Sequence, residues 1–343
     1  MTPEQVAKAR SRRIWLVSVL MTAVALLVIG IGLNTGKLPV SPSGVIRTLL
    51  GNGTAAETMA LYDIRLPRIL VTILAGAGLG VAGMVFQGVS RNALADPGIL
   101  GINNGAAFGL MIYISFFVDT GGQTALWIPL FAFGGGSAVA AAVFLLSYDR
   151  HRGLLPMRLI LVGIAVAAGV SAATLILSLR LDEDTYAFAA RWLAGNVWGR
   201  EWIHVWALFP WVLAAGIAIY TQSAKLDLYA LGDELVLGLG QKPTRGRLVL
   251  LALAVALSCA CVAIAGGIGF IGLAAPHIAR KLVGPQHRYA LPIAALVGVN
   301  ILVLADTMGR SLFDPNDIPA GIMVAALGGP YFLYLLLRKK NIR

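Results

Sequence analysis

Residues 224–247 read AKLDLYALGDELVLGLGQKPTRGR, and they separate two hydrophobic runs of membrane length, at 202–222 and 247–267. Gly232 interrupts the segment, so we predict a pair of short amphipathic helices outside the bilayer. A connection between membrane helices needs no apolar face, and an apolar face therefore indicates that another protein packs against this insertion. The face consists of leucines three and four positions apart, at Leu228, Leu231, Leu235 and Leu239.

The composition of the whole chain indicates a membrane protein. Of the 343 residues, 58% are hydrophobic and 13% are charged, whereas soluble domains carry about 25% charged residues. Long continuous apolar runs argue against a β-barrel, which would show short alternating segments. The net charge of +11 is scattered between these runs, which favours the positive-inside pattern of membrane proteins over binding to nucleic acid.

Ten apolar runs follow the polar N-terminus, and most are close to the roughly 20 residues that a helix needs to cross a bilayer. The eighth is short and contains Pro276, which predicts a half-helix or a steeply packed segment. We predict an all-α polytopic membrane protein with about ten transmembrane helices in a single domain over residues 1–343. The runs lie at about 14–33, 66–89, 98–118, 125–147, 158–180, 202–222, 247–267, 269–283, 289–309 and 318–337.

The basic residues predict which side of the membrane each loop faces. With both termini in the cytoplasm, 19 of the 27 Lys and Arg residues lie on the cytoplasmic side and 8 on the other, as the positive-inside rule requires. Five helices in each half would form two inverted repeats, at about 14–199 and 200–337. VAGMVFQG (81–88) and IAGGIGFIG (264–272) are weakly alike and would cross in opposite directions.

The residue pattern suggests neither catalysis nor a resident cofactor or metal. The four histidines lack metal-binding spacing, and no phosphate-binding glycine motif occurs. Cys259 and Cys261 lie in an apolar run and are interpreted as inert core cysteines. Ion-coupled carriers place ionisable groups at mid-bilayer, whereas Asp306 is the main acidic candidate here and lies near the end of a run. We therefore expect no enzyme, and the sequence shows no energy source of its own.

Glycines are concentrated in the second run, at Gly76, Gly78, Gly80 and Gly83. Small residues let membrane helices approach closely, so we interpret these positions as packing contacts. Hinges in a moving pathway are the alternative interpretation.

The turn between the second and third runs carries Asn92, Asp96 and Pro97 among glycines. Asp96 can act as an N-cap, with Pro97 at the first helical position. A well-capped turn is one interpretation, and a cytoplasmic constriction on a solute path is the other.

Four motifs together resemble the FecCD-type permease subunits of ABC importers for iron–siderophores and cobalamin. They occur in the family's order and cover nearly the whole chain. They are RLPR (65–68) with FQGVSRNALADPGILGINNGA (86–106), LGDE (231–234) with Leu239-Gly240, AGGIGFIGLAAPHIAR (265–280), and Asp306 with Arg310, PAGI (319–322) and GGPYFLYLLL (328–337).

The resemblance implies an assembly in the bacterial cytoplasmic (inner) membrane. Permeases of this family work as a dimer, formed by one chain or by two sister chains. Two ATPase subunits, which bind ATP and Mg²⁺, drive transport, and an extracytoplasmic solute-binding protein delivers the substrate. This chain would be a multi-pass permease without catalytic activity, with these proteins and the lipid bilayer as its partners.

The resemblance also gives the polar insertion a role, because the family's cytoplasmic coupling helices match residues 226–241. The leucine face would pack in a groove of the ATPase, and the acidic pair would offer charges or an N-terminal cap. The implied coupling residues are Leu231, Gly232, Asp233, Glu234, Leu235, Leu239 and Gly240.

Three arginines match the family's docking positions for the binding protein, namely Arg65, Arg68 and Arg310. The charge-based topology places all three on the outer face, where carboxylates of a binding protein would meet them. Interfacial anchors at helix ends are the alternative interpretation.

The family's inner gate and central path also have matching positions here. Pro156 and Met157 depart from the small hydroxyl residues of some cobalamin relatives. The path would follow the two-fold axis of the dimer, between the fifth and tenth runs of each copy. The implied gate and path residues are Asn92, Leu94, Pro156, Met157, Ser171 and Thr174.

The first interpretation is thus a permease subunit that translocates a ferric siderophore, driven by ATP hydrolysis in a separate subunit. The same architecture importing cobalamin or haem is the alternative. A stand-alone secondary transporter ranks third, because the runs carry few charges at mid-membrane and the polar insertion requires a partner.

Overall fold

The computed structural model describes residues 3–35, 41–117, 124–149, 153–154, 156–238, 243–312 and 317–338, and nearly all of them are helical. The first half contains α1 (Pro3–Asn34), α2 (Pro42–Leu49), α3 (Ala55–Thr58), a π-helical turn (Met59–Arg65), α4 (Leu66–Ser90), a 3₁₀ turn (Pro97–Leu100), α5 (Ile102–Phe117), α6 (Thr124–Ser147), the short antiparallel strands β1 (Tyr148–Asp149) and β2 (Gly153–Leu154), and α7 (Pro156–Ser178). The second half contains α8 (Glu183–Leu193), α9 (Trp202–Thr221), α10 (Ser223–Leu231), α11 (Asp233–Gly238), α12 (Pro243–Ala265), α13 (Ile271–Val283), α14 (His287–Ser311) and α15 (Ala320–Arg338).

Each of the ten predicted apolar runs contains a helix, so the all-α polytopic fold is confirmed. The third, eighth and tenth runs contain the shorter apolar helices α5, α13 and α15, and the number of crossings, the two repeats and the sidedness stay predictions. Seven helical stretches of the described residues are long and apolar enough to cross a membrane: Lys8–Asn34, Ala55–Ser90, Ala125–Ser147, Met157–Ser178, Trp202–Thr221, Arg245–Ala265 and His287–Ser311.

The central helix of the bundle is α4, which packs against α9, α12, α13 and α14. Its glycines bring backbones into direct contact: a Cβ on Gly76 would lie 2.6 Å from the Gly298 carbonyl oxygen of α14. A Cβ on Gly83 would overlap the carbonyl of Gly272 in α13. Close approach of small residues is how helices associate in lipid, and the interpretation of these glycines as packing positions is confirmed.

The short helix α13 is held by a glutamine of α4. The Gly272 carbonyl would normally accept from the N–H four residues later, but that residue is Pro276, which has none. Gln87 Nε2 donates to this carbonyl at 3.3 Å, and Gln87 Oε1 accepts from Arg280, one turn beyond the proline. With 13 residues, α13 is too short to cross a bilayer, as the length of this run predicted. Pro276 lies inside the helix and does not break it.

The two ends of the bundle are defined by side-chain bonds between distant segments. At one end, Arg13 Nη2 donates to the Lys281 carbonyl at 3.0 Å and Arg91 Nε to the Tyr229 carbonyl at 2.7 Å. This end, called here the α10 end, therefore carries the start of α1, the end of α4, α10 and the junction of α13 and α14. The opposite end carries the C-termini of α1 and α14 and the start of α4.

Candidate functional site

The polar insertion forms two helices, α10 and α11, separated at Gly232 as predicted. Gly232 has φ +119°, a value that residues with a Cβ rarely adopt. Asp233 and Glu234 form the first turn of α11, and Leu239 and Gly240 lie outside the described residues.

The apolar face of the insertion is exposed, but the leucines that form it differ from the four that the sequence predicted. Leu231 is 60% exposed, Leu235 58% and Leu237 60%. Leu228 instead packs partly buried against the core. Sequence reasoning missed Leu237 because it extended one helical period across Gly232, where the chain changes direction. Exposed apolar patches often mark interaction sites, and the coupling role of these leucines stays a prediction.

The other face of α10 is fastened to the bundle. Asp227 Oδ1 accepts a hydrogen bond from the backbone N–H of His287 at 2.9 Å and lies 2.7 Å from the His287 Nδ1. His287 is the first residue of α14, so Asp227 satisfies one of the open N–H groups at that helix start. His287 in turn contacts α4, where a Cβ on Gly88 would lie 2.9 Å from its Nε2.

Tyr229 provides the second attachment of α10. Its carbonyl accepts from Arg91 at the end of α4, and its buried ring lies 5.3 Å from the guanidinium carbon of Arg247 in α12. Burial raises the pKa of the Tyr229 hydroxyl, which the nearby Arg247 charge partly opposes. Through Asp227 and Tyr229, α10 thus contacts α4, α12 and α14.

The polar turn after α4 adopts the capped conformation that the sequence predicts. Asp96 Oδ1 accepts from the Gly98 N–H at 2.7 Å, and Pro97 opens a helix, which is 3₁₀ rather than α. Asn92 Oδ1 accepts from the Leu94 N–H at 3.0 Å, which is an Asx turn. Leu94 is 45% exposed, whereas Asn92 is half-buried.

The second predicted gate lies at the start of α7, which packs against the 3₁₀ turn. Pro156 is the first residue of α7, and Met157 is 71% exposed. The 3₁₀ turn that packs on α7 follows Asn92 and Leu94 in the chain. A gating role for these residues stays a prediction.

The predicted path residues on α7 contact their own chain. Asn104 of α5 donates to the Ser171 hydroxyl and to the Ala167 carbonyl, while Thr174 Oγ1 donates to the Val170 carbonyl at 2.8 Å. The Ser171 side chain is exposed and Thr174 is half-buried. A lining role for either hydroxyl stays a prediction.

The exposed face of α7 is large and apolar. Only 11% of the most apolar part of this helix is buried. Leu161 is 64% exposed, Ile164 58% and Leu175 63%. Lipid or a second permease must cover this face in a membrane.

The three predicted docking arginines lie together at the end opposite α10, where Arg65 and Arg310 are buried and Arg68 is partly buried. Arg68 Nη2 lies 2.6 Å from Asp306 Oδ1, and its Nε donates to the same carboxylate at 3.0 Å. Arg310 Nε lies 3.6 Å from Asp306 Oδ2. The acidic residue that the sequence singled out within a run is thus neutralised by two arginines, which disfavours a role for Asp306 as the ion-coupling group of a secondary carrier.

The same arginines cap the end of α1. Arg310 Nη1 donates to the Thr35 carbonyl at 3.1 Å, and Arg65 Nη1 donates to the Leu33 carbonyl. Guanidinium groups at a helix C-terminus satisfy its open carbonyls and oppose its dipole. Arg65 is 4% exposed and Arg310 7%, so these side chains fasten α1 to α4 and α14 here. Their role in docking stays a prediction.

Cys259 and Cys261 are buried free cysteines, as predicted. Cys261 packs against Gly78 of α4. In the part of the chain that the structure describes, no group of three His, Cys, Asp or Glu residues could hold a metal ion.

Comparison with known proteins identifies the family. The sequence profile of the FecCD transport family matches residues 9–338. The iron(3+)-hydroxamate import system permease protein FhuG of Bacillus subtilis is 38% identical over 96% of this chain and 99% of its own length. The Fe(3+)-citrate import system permease protein YfmE of the same organism is 43% identical over 94% of this chain and 95% of its own.

A solved structure described as a metal-chelate type ABC transporter in an inward-facing conformation has the same fold. It superposes with a TM-score of 0.81, at 30% sequence identity, and covers 93% of this chain and 97% of that chain. Profile, relatives and fold agree over almost the full length. The chain is therefore a multi-pass membrane protein that belongs to the FecCD transport family.

Proposed function

We propose that this chain is the permease subunit of an ATP-binding-cassette importer for a ferric siderophore in the bacterial inner membrane. The observation that carries the proposal is the insertion at the α10 end, which exposes Leu231, Leu235 and Leu237 while Asp227 and Tyr229 fasten it to the bundle. Two relatives named for import of ferric hydroxamate and ferric citrate support the substrate class.

The energy for transport would come from a separate ATPase that binds ATP and Mg²⁺. Its groove would cover the three exposed leucines, in the manner in which an apolar helix face fills a hydrophobic groove. Movement of α10 would then pass to α14 through Asp227 and to α4 and α12 through Tyr229. This chain would carry out no hydrolysis itself.

The transport unit would be a dimer, formed with a second copy or a sister chain. The exposed apolar face of α7 supports this arrangement, because an apolar helix face suits a helix of another subunit as well as it suits lipid. The path would lie between the facing α7 and α15 helices, whose sequences contain only Arg158 and Arg338 as charged residues. Weak binding suits the passage of a large chelate.

The end opposite α10 would receive an extracytoplasmic solute-binding protein. Arg65, Arg68 and Arg310 are the docking residues that we proposed from sequence, and in the present arrangement they bind Asp306 and the end of α1. Docking through them would therefore require the binding-protein carboxylates to compete with internal acceptors.

Uptake by cells with and without this chain tests the substrate. Radiolabelled ferric hydroxamate, ferric catecholate, haemin and cobalamin would be supplied in parallel, with Leu235→Asp as the inactive variant. We expect chain-dependent uptake of a ferric chelate. Chain-dependent uptake of cobalamin or haemin alone would contradict the siderophore assignment and leave the importer assignment intact.

A further inference from the structure

A basic cavity lies at the α10 end, between α1 and the junction of α13 and α14. Its volume is about 460 Å³, and its lining includes Arg10, Arg13 and Ile14 from α1 with Gly284 and Gln286 from the junction. Neither the family assignment nor the proposed transport mechanism uses this cavity.

Arg10 and Arg13 supply the positive charge of the cavity lining. Among the described residues, no Asp or Glu forms an ion pair with either of them, or with Lys281 and Arg288, which flank the lining residues 283–286 in the chain. Asp227, on the neighbouring α10, is bound to His287. The cavity therefore presents uncompensated positive charge to whatever fills it.

The basic side chains are held by contacts that leave their charge available. The Arg10 guanidinium carbon lies 5.1 Å from the centroid of the Tyr289 ring, and Arg13 donates to the Lys281 carbonyl at 3.0 Å. The Lys281 Nζ lies 6.0 Å from the Tyr331 ring centroid. Aromatic faces and carbonyls orient these groups without neutralising them.

The position of the cavity indicates the kind of anion. Only 11% of the most apolar part of α1 is buried, and its exposed side carries Trp15 at 64%, Leu16 at 50% and Leu20 at 57% exposure. Trp15 lies where the polar start of α1 gives way to its apolar run, and tryptophan is enriched at such membrane interfaces. An apolar, exposed helix side thus begins beside the cavity, where acyl chains would run.

We infer that this cavity binds the phosphate group of an anionic phospholipid, held by Arg10 and Arg13. Basic pockets between helices on the cytoplasmic side bind such headgroups, and the inference rests on the cytoplasmic placement of the α10 end in the proposed function. The bound lipid would hold α1 against the α13–α14 junction, next to His287, to which α10 is fastened.

Native mass spectrometry of the purified transporter tests the inference, with phosphatidylglycerol compared with phosphatidylcholine of the same acyl chains. Arg10→Gln with Arg13→Gln removes two charges that line the cavity. Lys8→Gln with Arg12→Gln removes two charges from the opposite side of the same helix and is the matched control. One Lys or Arg near the headgroup strengthens lipid binding about fivefold. The cavity variant lacks two of them, so we expect it to bind phosphatidylglycerol roughly 30-fold more weakly.

The control variant should keep the preference of the transporter for phosphatidylglycerol over phosphatidylcholine. If both double variants lose phosphatidylglycerol binding to the same extent, or if neither loses it, the inference is overturned. A further experiment measures the binding of inorganic phosphate to the detergent-solubilised transporter. If phosphate binding depends on Arg10 and Arg13 in the same way, the cavity is a site for soluble phosphate and the lipid assignment is wrong. Because lipid binding is measured without transport, this outcome is independent of the proposed import function. Equal thermal stability of both variants would confirm that they fold.

Discussion

Asp227 and His287 are separated by 60 residues in sequence, yet the Asp227 carboxylate contacts both the backbone N–H and the ring Nδ1 of His287. This contact joins the exposed insertion to the first residue of α14, one of the helices packed on α4. A movement of α10 cannot leave α14 unaffected while the contact holds. The pair is therefore one of the two attachments, with Tyr229, by which α10 is held to the bundle.

Replacing Asp227 by alanine should weaken coupling, because the N–H of His287 loses its acceptor. Loss of such a cap costs about 1 kcal/mol, and we expect ATP-dependent uptake to fall while the ATPase still binds. Asp227→Asn keeps one acceptor oxygen and should retain most of the activity. Lys225→Ala on the same helix is the control, since Lys225 is exposed and bonds only to nearby Gln222 in this structure. Uptake that falls equally in Lys225→Ala would argue against the role of the pair.

The exposed leucines should be the binding surface for the ATPase. Leu235→Asp places a charge in the centre of that surface, which should cost about 2 kcal/mol or more of association free energy. Leu50, which is 74% exposed beyond α2 at the other end, gives the control Leu50→Asp. Co-purification of the ATPase with each variant measures the effect. Retention of the ATPase by Leu235→Asp would remove the basis for the coupling assignment.

The buried ion pair at the opposite end should be needed for stability. Asp306→Asn removes the buried carboxylate that Arg68 and the buried Arg310 share, and loss of one partner of a buried ion pair typically costs about 3–5 kcal/mol. We expect a lower thermal unfolding midpoint in detergent. The double variant Arg68→Met with Asp306→Leu removes both partners and should recover part of the loss. An unchanged midpoint for Asp306→Asn would show that the pair does not stabilise the fold.

The contact between α4 and α14 should not accept a side chain at Gly76. Its Cβ would lie 2.6 Å from a backbone carbonyl, and overpacking of this kind costs about 1–3 kcal/mol. Gly216→Ala in α9 is the matched control, because no atom lies within 4 Å of its added Cβ. The thermal unfolding midpoint should be lower for Gly76→Ala than for Gly216→Ala. Equal midpoints would mean that the helices separate at this contact without a cost.

Most of the fold could be predicted from the sequence, because hydrophobic runs of bilayer length leave few alternatives to helices. The expectation that Pro276 breaks the eighth run was wrong, because α13 continues through the proline and Gln87 of α4 donates to the carbonyl that the proline leaves without a helical N–H. The helices α2, α3 and α8 between the runs were not predicted. They depend on local capping, as at Thr54 with Glu57 and at Asp182. The positions and lengths of the hydrophobic runs carry no information about such caps.

The candidate site was predictable only in part. Gly232 and the exposed leucines near it follow from local periodicity, but Leu237 does not, because the chain changes direction at the glycine. The partners of Asp227, Arg68 and Arg310 lie far away in sequence or cap another helix, and no spacing rule indicates them. Sequence reasoning therefore located the arginines at one end but not their burial against Asp306.

The central claim is that this chain transports only when a separate ATPase drives it through α10. The most direct measurement is uptake of ferric hydroxamate into proteoliposomes that contain the permease and the binding protein, with and without the ATPase and ATP. We predict uptake only when ATP and the ATPase are both present, with loss in Leu235→Asp and retention in Lys225→Ala. Uptake by the permease without the ATPase, or full uptake by Leu235→Asp, would contradict the claim.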